Sequence, residues 1–499
     1  MSTKPSKGNR SAGIILHPTS LPGPYGIGDL GPAAYAWTDT LARARITWWQ
    51  VLPLGPTGFG DSPYQSFSAF AGNPYLVSPD ALIQDGLLAR SDVDGVSFPA
   101  DHVNYGPVIQ FKVKILARAW ENFQAGHAPG LRQQVEAFAA RNASWLDDFA
   151  LYMALKDAHG GASWQSWPRE LVVRQPAALK RAQQDLATAL GLHKFRQFLF
   201  FRQWQALKQY ANSKGIKLIG DVPIFVASDS ADVWHNPELF FLDERRQPTV
   251  VAGVPPDYFS ATGQLWGNPL YNWEALRKTG YAWWVARMRA TLELIDLVRL
   301  DHFRGFEAYW EVPAGRPTAQ EGRWVKGPGA DLFETLRARL GGLPLLAEDL
   351  GLITEEVEAL RAKLRLPGMR VLQFAFGGAT EDRFLPHNYE RNTVVYTGTH
   401  DNDTTVGWYN ALQEHERRFL RRYLGKDSHE VAWDLIRVAW SSVADYALAP
   451  LQDVVSLGTE ARMNFPGRPS GNWSWRFTPQ MLSQGVLDRL ADLTEVYWR

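Results

Sequence analysis

The chain has 499 residues, 45% of them hydrophobic, enough to bury a large core as one big domain with insertions or as two to three ordinary ones. Its 52 Lys and Arg balance 52 Asp and Glu, so no net field draws it to nucleic acid or to a membrane surface, and the lack of cysteine excludes disulfides, thiolate catalysis and thiolate metal sites. The basic N-terminus "MSTKPSKGNRSAG" has no apolar core behind it and no run of 18 apolar residues occurs, so neither a signal peptide nor a transmembrane helix is expected and the default location is cytoplasmic.

In chain order, "GIILH" (13–17) is the first short apolar run, followed by the helix-period segment "AAYAWTDTLARAR" (33–45) and a second run, "WWQVLPL" (48–54). Residues 55–215 then form an insertion that is mainly helical, with helical patterns in "FKVKILARAWENF", "LRQQVEAFAARNASWLDDFALYMALKDA" and "KFRQFLFFRQWQALKQYANSKG". A third run, "IKLIGDV" (216–222), precedes a second insertion at 225–284. The fourth and fifth runs are "IDLVRLD" (295–301) and "LPLLAED" (343–349), followed by the helix "TEEVEALRAKLR" (354–365). "VLQFAF" (371–376), "TVVYTGTHD" (393–401) and, after the helix "HEVAWDLIRVAWSSVA" (429–444), "YALAPLQDVV" (446–455) complete eight. Near-continuous apolar runs fit strands buried on both faces of a parallel sheet, and eight strand-helix alternations predict an α/β fold, a (β/α)₈ barrel. A bare barrel needs roughly 250 residues, so about half of the chain is insertion around one catalytic domain.

In such a barrel chemistry sits at the C-terminal strand ends, and these carry Asp221, Asp301, Glu348 with Asp349, and Asp401. Residues two apart on a strand share a face, so Arg299 and Asp301 point the same way. An Arg beside a carboxylate lowers its pKa and holds it ionised, as a nucleophile requires. The same pair reads equally well as a buried ion pair that fixes barrel register. Three acids on three strands tilt the balance toward glycoside chemistry, where one carboxylate is nucleophile and another acid/base. Aromatic residues make up 13% of the chain, and many sit in Gly/Pro/Asn-rich stretches such as "DYFSATGQLWGNPLYNW" and "GNWSWRF". Rings placed there suit stacking on sugar faces, or equally the packing of long loops.

The blocks "HPTSLPGPYGIGDLG", "GPTGFGDSPYQSFSAFAGNPYL", "GDVPIFVASDSADVW", "LWGNPLYNW", "RLDHFRGF", "AEDLG", "TGTHDNDT" and "RMNFPGRPSGNWSWR" together resemble the amylomaltases, 4-α-glucanotransferases of glycoside hydrolase family 77 in the α-amylase clan. The resemblance runs from about residue 12 to the C-terminus. It implies Asp301 as nucleophile, Glu348 as acid/base and Asp401 as the acid that binds sugar hydroxyls and stabilises the distorted transition state. Arg299 and His400 match the Arg two before the nucleophile and the His before the third acid. Tyr64, Asp221, Gln264, Trp266, His302, Asp349 and Asn464 are implied to line donor and acceptor subsites, with Ser62 a further candidate. The implied partners are α-1,4-glucans (maltooligosaccharides, starch or glycogen fragments) with glucose as acceptor. No cofactor is implied, and because "DVPIFV" lacks the Asn-His pair found near the calcium site of α-amylases, no metal is expected either. No C-terminal β-domain past the barrel is expected. Residues 250–273 have the composition of a lid, with Gly253, Gly263 and Gly267 permitting bends and Tyr258 and Phe259 offering rings to cover a glucan.

Four rival readings use the same residues. "GIGDLG" (26–31) matches a dinucleotide fingerprint, but Pro18, Pro22 and Pro24 separate it from the preceding strand and the position 20 after Gly31 is Val51, not an acid. "HDND" (400–403) is a short oxygen-rich loop that suits Mg²⁺ or Ca²⁺. A non-catalytic glucan binder would keep the aromatics and lose the acids, which are all present. An α-glucan hydrolase would use the same acids with water as acceptor.

Overall fold

The structure, a computed structural model, describes residues 10–256, 260–378, 380 and 382–499. Eight short strands run parallel: β1 (Ser11–Ile15), β2 (Trp48–Gln50), β3 (Lys217–Pro223), β4 (Leu297–Asp301), β5 (Leu345–Ala347), β6 (Gly368–Val371), β7 (Thr393–Tyr396) and β8 (Tyr446–Pro450). Each pairs with the next and β8 closes on β1, giving the (β/α)₈ barrel. The apolar runs are continuous because both strand faces are covered. Ile15, Ile219, Leu297, Leu346, Met369 and Leu448 belong to the interior cluster, whereas Val298 and Leu300 of β4 belong to the larger core shared with the helices.

The sixth strand is a correction, because it lies at Gly368–Val371 and not at 371–376, where residues Leu372–Phe374 form a 3₁₀ turn. Pro367-Gly368 reads as a turn in sequence, yet Gly368 pairs with both Ala347 and Thr393. A glycine is needed there for space: an added Cβ would lie 2.6 Å from Asp349 Oδ2.

Local signals set the helices. Helix Pro32–Arg43 begins with proline in its first turn, after Gly31, whose N–H is held by Asp29 Oδ1 at 2.9 Å. Helix Glu355–Leu364 has Glu355, Glu356 and Glu358 in its first turn and Arg361 and Lys363 in its last, the order the helix dipole favours. Residues 55–215 carry the helices Tyr105–Gln124, Arg132–Arg141, Ala143–Ala158 and Ala187–Ser213, the last returning the chain to β3 through left-handed Gly215 (φ 81°). The final element is helix Gln484–Val496, packed on helices Pro32–Arg43 and Val431–Ser441. Among the described residues, no helix is long and apolar enough to cross a membrane.

A second sheet of four antiparallel strands lies beside the barrel, in the order Gln264–Pro269, Val250–Val254, Ala308–Pro313, Arg323–Lys326. Residues Val250–Val254 and Gln264–Pro269 of the segment expected as a lid are therefore pinned into a ladder. Gly253 sits between Leu265 and Trp310, and an added Cβ would lie 2.6 Å from Gln264 O, so this glycine permits close strand approach and not bending. Gly263 (φ 67°) does occupy a turn that requires glycine. Tyr258 and Phe259 lie outside the described residues.

Candidate active site

The inward face of β4 presents Arg299 below Asp301, as a two-residue period requires. Arg299 Nη1 is 3.1 Å from Asp301 Oδ1 and donates to Asp221 Oδ2 of the neighbouring β3 at 2.5 Å. The β3–β4 register sets Asp221 directly opposite Arg299. Tyr64, from the loop after β2, donates to the same Asp221 oxygen at 2.7 Å. Asp221, implied to line a subsite, thus holds Arg299 and Tyr64, and its side chain is fully enclosed. The direction expected for Asp301 is corrected. Burial pushes its pKa up to about 6, with Asp221 and Asp401 adding to the rise, because Arg299 is shared with Asp221 and only partly offsets it. The side chain remains 29% exposed, so cleft water relieves part of this burial until a ligand displaces it.

Glu348 stands one residue past β5, next to β4 through the Leu300–Ala347 pairing. Its Oε2 accepts the N–H of His302 at 2.6 Å and its Oε1 that of Leu350 at 2.9 Å. His302 reaches this position in a left-handed conformation (φ 54°), a costly geometry for a non-glycine residue that aims its N–H at the acid. Burial and then Asp301 push Glu348 up to about 8, outweighing Arg299 and the two amides. Of the two, Glu348 is thus the group more readily protonated and Asp301 the one more readily ionised.

Asp401, after β7, behaves in the opposite way. Burial opposes its ionisation, but His400 and Asn464 overcome that and hold it well below the usual carboxylate range. Asn464 Nδ2 donates to Oδ1 at 2.6 Å, and His400 Nε2 is 3.4 Å from Oδ2. His400 Nε2 also faces Tyr64 Oη at 2.9 Å, and since the Tyr64 proton goes to Asp221, this nitrogen must be the donor. The His400 and Tyr64 rings stack at 5.2 Å. One connected network thus joins Asp221, Arg299, Asp301, Tyr64, His400, Asp401 and Asn464.

At the rim, the Trp266 ring meets His302 edge-on at 4.8 Å and its Nε1 donates to exposed Gln264 at 3.2 Å. Burial lowers the His302 pKa to about 3, leaving a neutral imidazole whose Nε2 has no hydrogen-bond partner among the described residues. Ser62 accepts the Tyr64 N–H at 3.2 Å and so shapes the loop that carries Tyr64. Asp349, implied to line a subsite, is 1% exposed, accepts the Met369 N–H at 2.6 Å, and is surrounded by Arg361, Arg370 and Arg383. Three participants escaped the sequence reading. Arg462 donates to the carbonyls of Asp401 and Asn464, Trp473 lies 5.7 Å from Tyr64, and His17 lines a small cavity with His400. Arg462 and Trp473 fall inside a quoted block, "RMNFPGRPSGNWSWR", which was the available signal.

The residues of two rival motifs have partners within the fold. Asp403 accepts from Thr459 and Thr404 while Asp401 turns to Asn464, and among the described residues no group of three or more His, Asp or Glu is placed to hold a metal ion. An added Cβ at Gly28 would lie 1.9 Å from Pro18 O, so this glycine of "GIGDLG" serves close backbone packing.

A family model described as 4-alpha-glucanotransferase matches residues 16–482. The chain is 54% identical over 494 residues to the 4-alpha-glucanotransferase of Thermus thermophilus, covering 97% of this chain and 98% of that protein. It is 45% identical over 501 residues to the chloroplastic/amyloplastic 4-alpha-glucanotransferase of Solanum tuberosum, with 98% and 86% covered. Among solved structures, the amylomaltase from Streptococcus agalactiae in complex with acarbose superposes with a TM-score of 0.95 at 38% identity, covering 98% of this chain and 99% of that one. With the barrel, the acids at its strand ends and a match along nearly its whole length, the chain belongs to the 4-alpha-glucanotransferase family.

Proposed function

We propose that the chain transfers a segment of an α-1,4-glucan from a maltodextrin donor to the 4-OH of glucose or of another α-glucan by retaining double displacement. Asp301 attacks the anomeric carbon as the glycosidic C–O bond breaks, and Glu348 gives its proton to the departing 4-oxygen. A β-linked glucosyl-enzyme results. Glu348, now a carboxylate, takes the proton from an acceptor 4-OH, whose oxygen displaces Asp301 and restores the α-linkage. Asp401, kept ionised by His400 and Asn464, binds hydroxyls of the sugar undergoing distortion. Neutral His302 with Trp266 and Gln264 frames the rim, while Arg299 and Tyr64 hold the floor.

The observation that carries this reading is that Asp301 at the end of β4, Glu348 after β5 and Asp401 after β7 meet at one end of the barrel, where burial and Asp301 push Glu348 toward its protonated form while His400 and Asn464 keep Asp401 charged. A cytoplasmic place of action is part of the same reading and is supported by the cysteine-free sequence. Incubation with maltotriose alone tests the function. Transfer yields both shorter and longer saccharides at a constant number of reducing ends; a rising count with no longer products would assign the chain to hydrolysis.

A further inference from the structure

Asp349 follows the acid Glu348 directly in sequence, yet it points into a closed nest of charge. Its Oδ1 accepts the Met369 N–H of β6 at 2.6 Å, while Arg361, Arg370 and Arg383 approach Oδ2 at 3.4, 3.5 and 3.7 Å. Arg383 grips the same residue a second time, Nη2 donating to the Asp349 carbonyl at 2.6 Å, and its Nη1 is anchored on Glu358 at 2.7 Å. Gly368 leaves the room for this carboxylate, since an added Cβ would lie 2.6 Å from Oδ2. The peptide that joins Asp349 to Leu350 is therefore held from both sides: the side chain by β6, the carbonyl by Arg383. The other end of that peptide is the Leu350 N–H, which donates to Glu348 Oε1 at 2.9 Å.

From this geometry we infer that Asp349 and Arg383 are positioning residues for Glu348, which fix the 349–350 peptide so that its N–H holds one carboxylate oxygen and aims the other lone pairs into the cleft. A surface clamp of the same composition would have no such consequence. Here the locked peptide is, among the described residues, one of two amide donors on the acid, the other being His302 N–H. The charged and titratable groups that act on Glu348 are Asp301 and Arg299 of β4, with the Asp349 nest behind it. Losing the Leu350 N–H bond removes a stabiliser of the carboxylate, so the pKa of Glu348 moves further up. A misaimed acid also slows the step that needs a proton delivered to the leaving oxygen.

The proposal rests on the acid/base role of Glu348, and the test separates the two. Asp349→Asn keeps the shape and loses the charge; Arg383→Met keeps Asp349 and loses the grip on its carbonyl, at a side chain that is only partly buried. Both are expected to lower maltodextrin transfer by about 10- to 100-fold and to shift the alkaline limb of the kcat/KM profile to higher pH. Both should retain the burst of fluoride release from α-glucosyl fluoride, whose leaving group needs no proton. Gly368→Ala, which crowds the same carboxylate, should act in the same direction. Equal losses on both donors would show that the nest merely supports the fold, and an unshifted limb with normal transfer would show that it does not reach Glu348; either overturns the inference. Glu348→Gln run in parallel must lose transfer and keep the burst; if it retains full transfer, the role of Glu348 itself fails and the inference falls with it.

Discussion

The loops after β5 and β7 each offer one carboxylate to the same cleft, and they treat it in opposite ways. Glu348 after β5 receives two neutral amides and faces the negative Asp301, so burial prevails and it keeps a proton up to about pH 8. Asp401 after β7 is buried against ionisation as well, but His400 and Asn464 stand beside it and it stays charged. Burial alone does not decide a protonation state; the partner's charge does. A retaining transferase needs both outcomes in one site, a proton donor and a permanent anion.

The predictions aim to break this contrast, starting with its largest consequence. Asp301→Asn should abolish transfer and hydrolysis alike while glucan binding persists, since the amide is isosteric but cannot attack; mass spectrometry that traps a glucosyl adduct on another carboxylate would contradict it. Next, Glu348→Gln should lose roughly 10²–10⁴-fold on maltodextrins and retain rapid fluoride release from α-glucosyl fluoride.

On the other side of the cleft, His400→Gln removes the charge that overcomes burial at Asp401. Its pKa should rise, and kcat/KM should fall by about 10- to 100-fold, the worth of a hydrogen bond to a charged group. The loss should be greatest on the acid side of the profile. A uniform loss across pH would mean that His400 acts on the sugar and not through Asp401. The wild-type profile itself should be bell-shaped, with activity lost below about pH 6 as Asp301 takes up a proton and above about pH 8 as Glu348 releases one.

The smallest effect is on stability. Folding raises Glu348 from 4.5 to about 8, so the native state binds more protons than the unfolded chain between these values, and stability at this residue falls as pH rises through them. Glu348→Gln removes that penalty. Its melting temperature should exceed that of the wild type at pH 8, and the gap should close as pH falls to 4.5. An equal gap at both values would place the burial cost elsewhere.

Whatever depends on local period was legible in the sequence. Seven of the eight apolar runs hold a strand, because strands covered on both faces must be apolar throughout, while the sixth run meets its strand only at Val371. Arg299 and Asp301 fell on one face because side chains alternate along any strand, and the acids at the strand ends located the cleft. The second sheet was not legible, since its four strands come from two separate stretches, 250–269 and 308–326, on either side of β4, and only pairing reveals them. Neither was the fate of neighbouring acids: Glu348 and Asp349 adjoin in sequence, yet one faces the cleft and the other a nest built from Arg361, Arg370 and Arg383. Asp301 shows the same limit in its charge. From sequence, its Arg neighbour implied a lowered pKa, but folding gives Arg299 to Asp221 as well and buries the pair, so the net direction is up. Which way a side chain points follows from its own strand; what it meets there is set by residues tens to hundreds of positions away, and only tertiary packing brings those together.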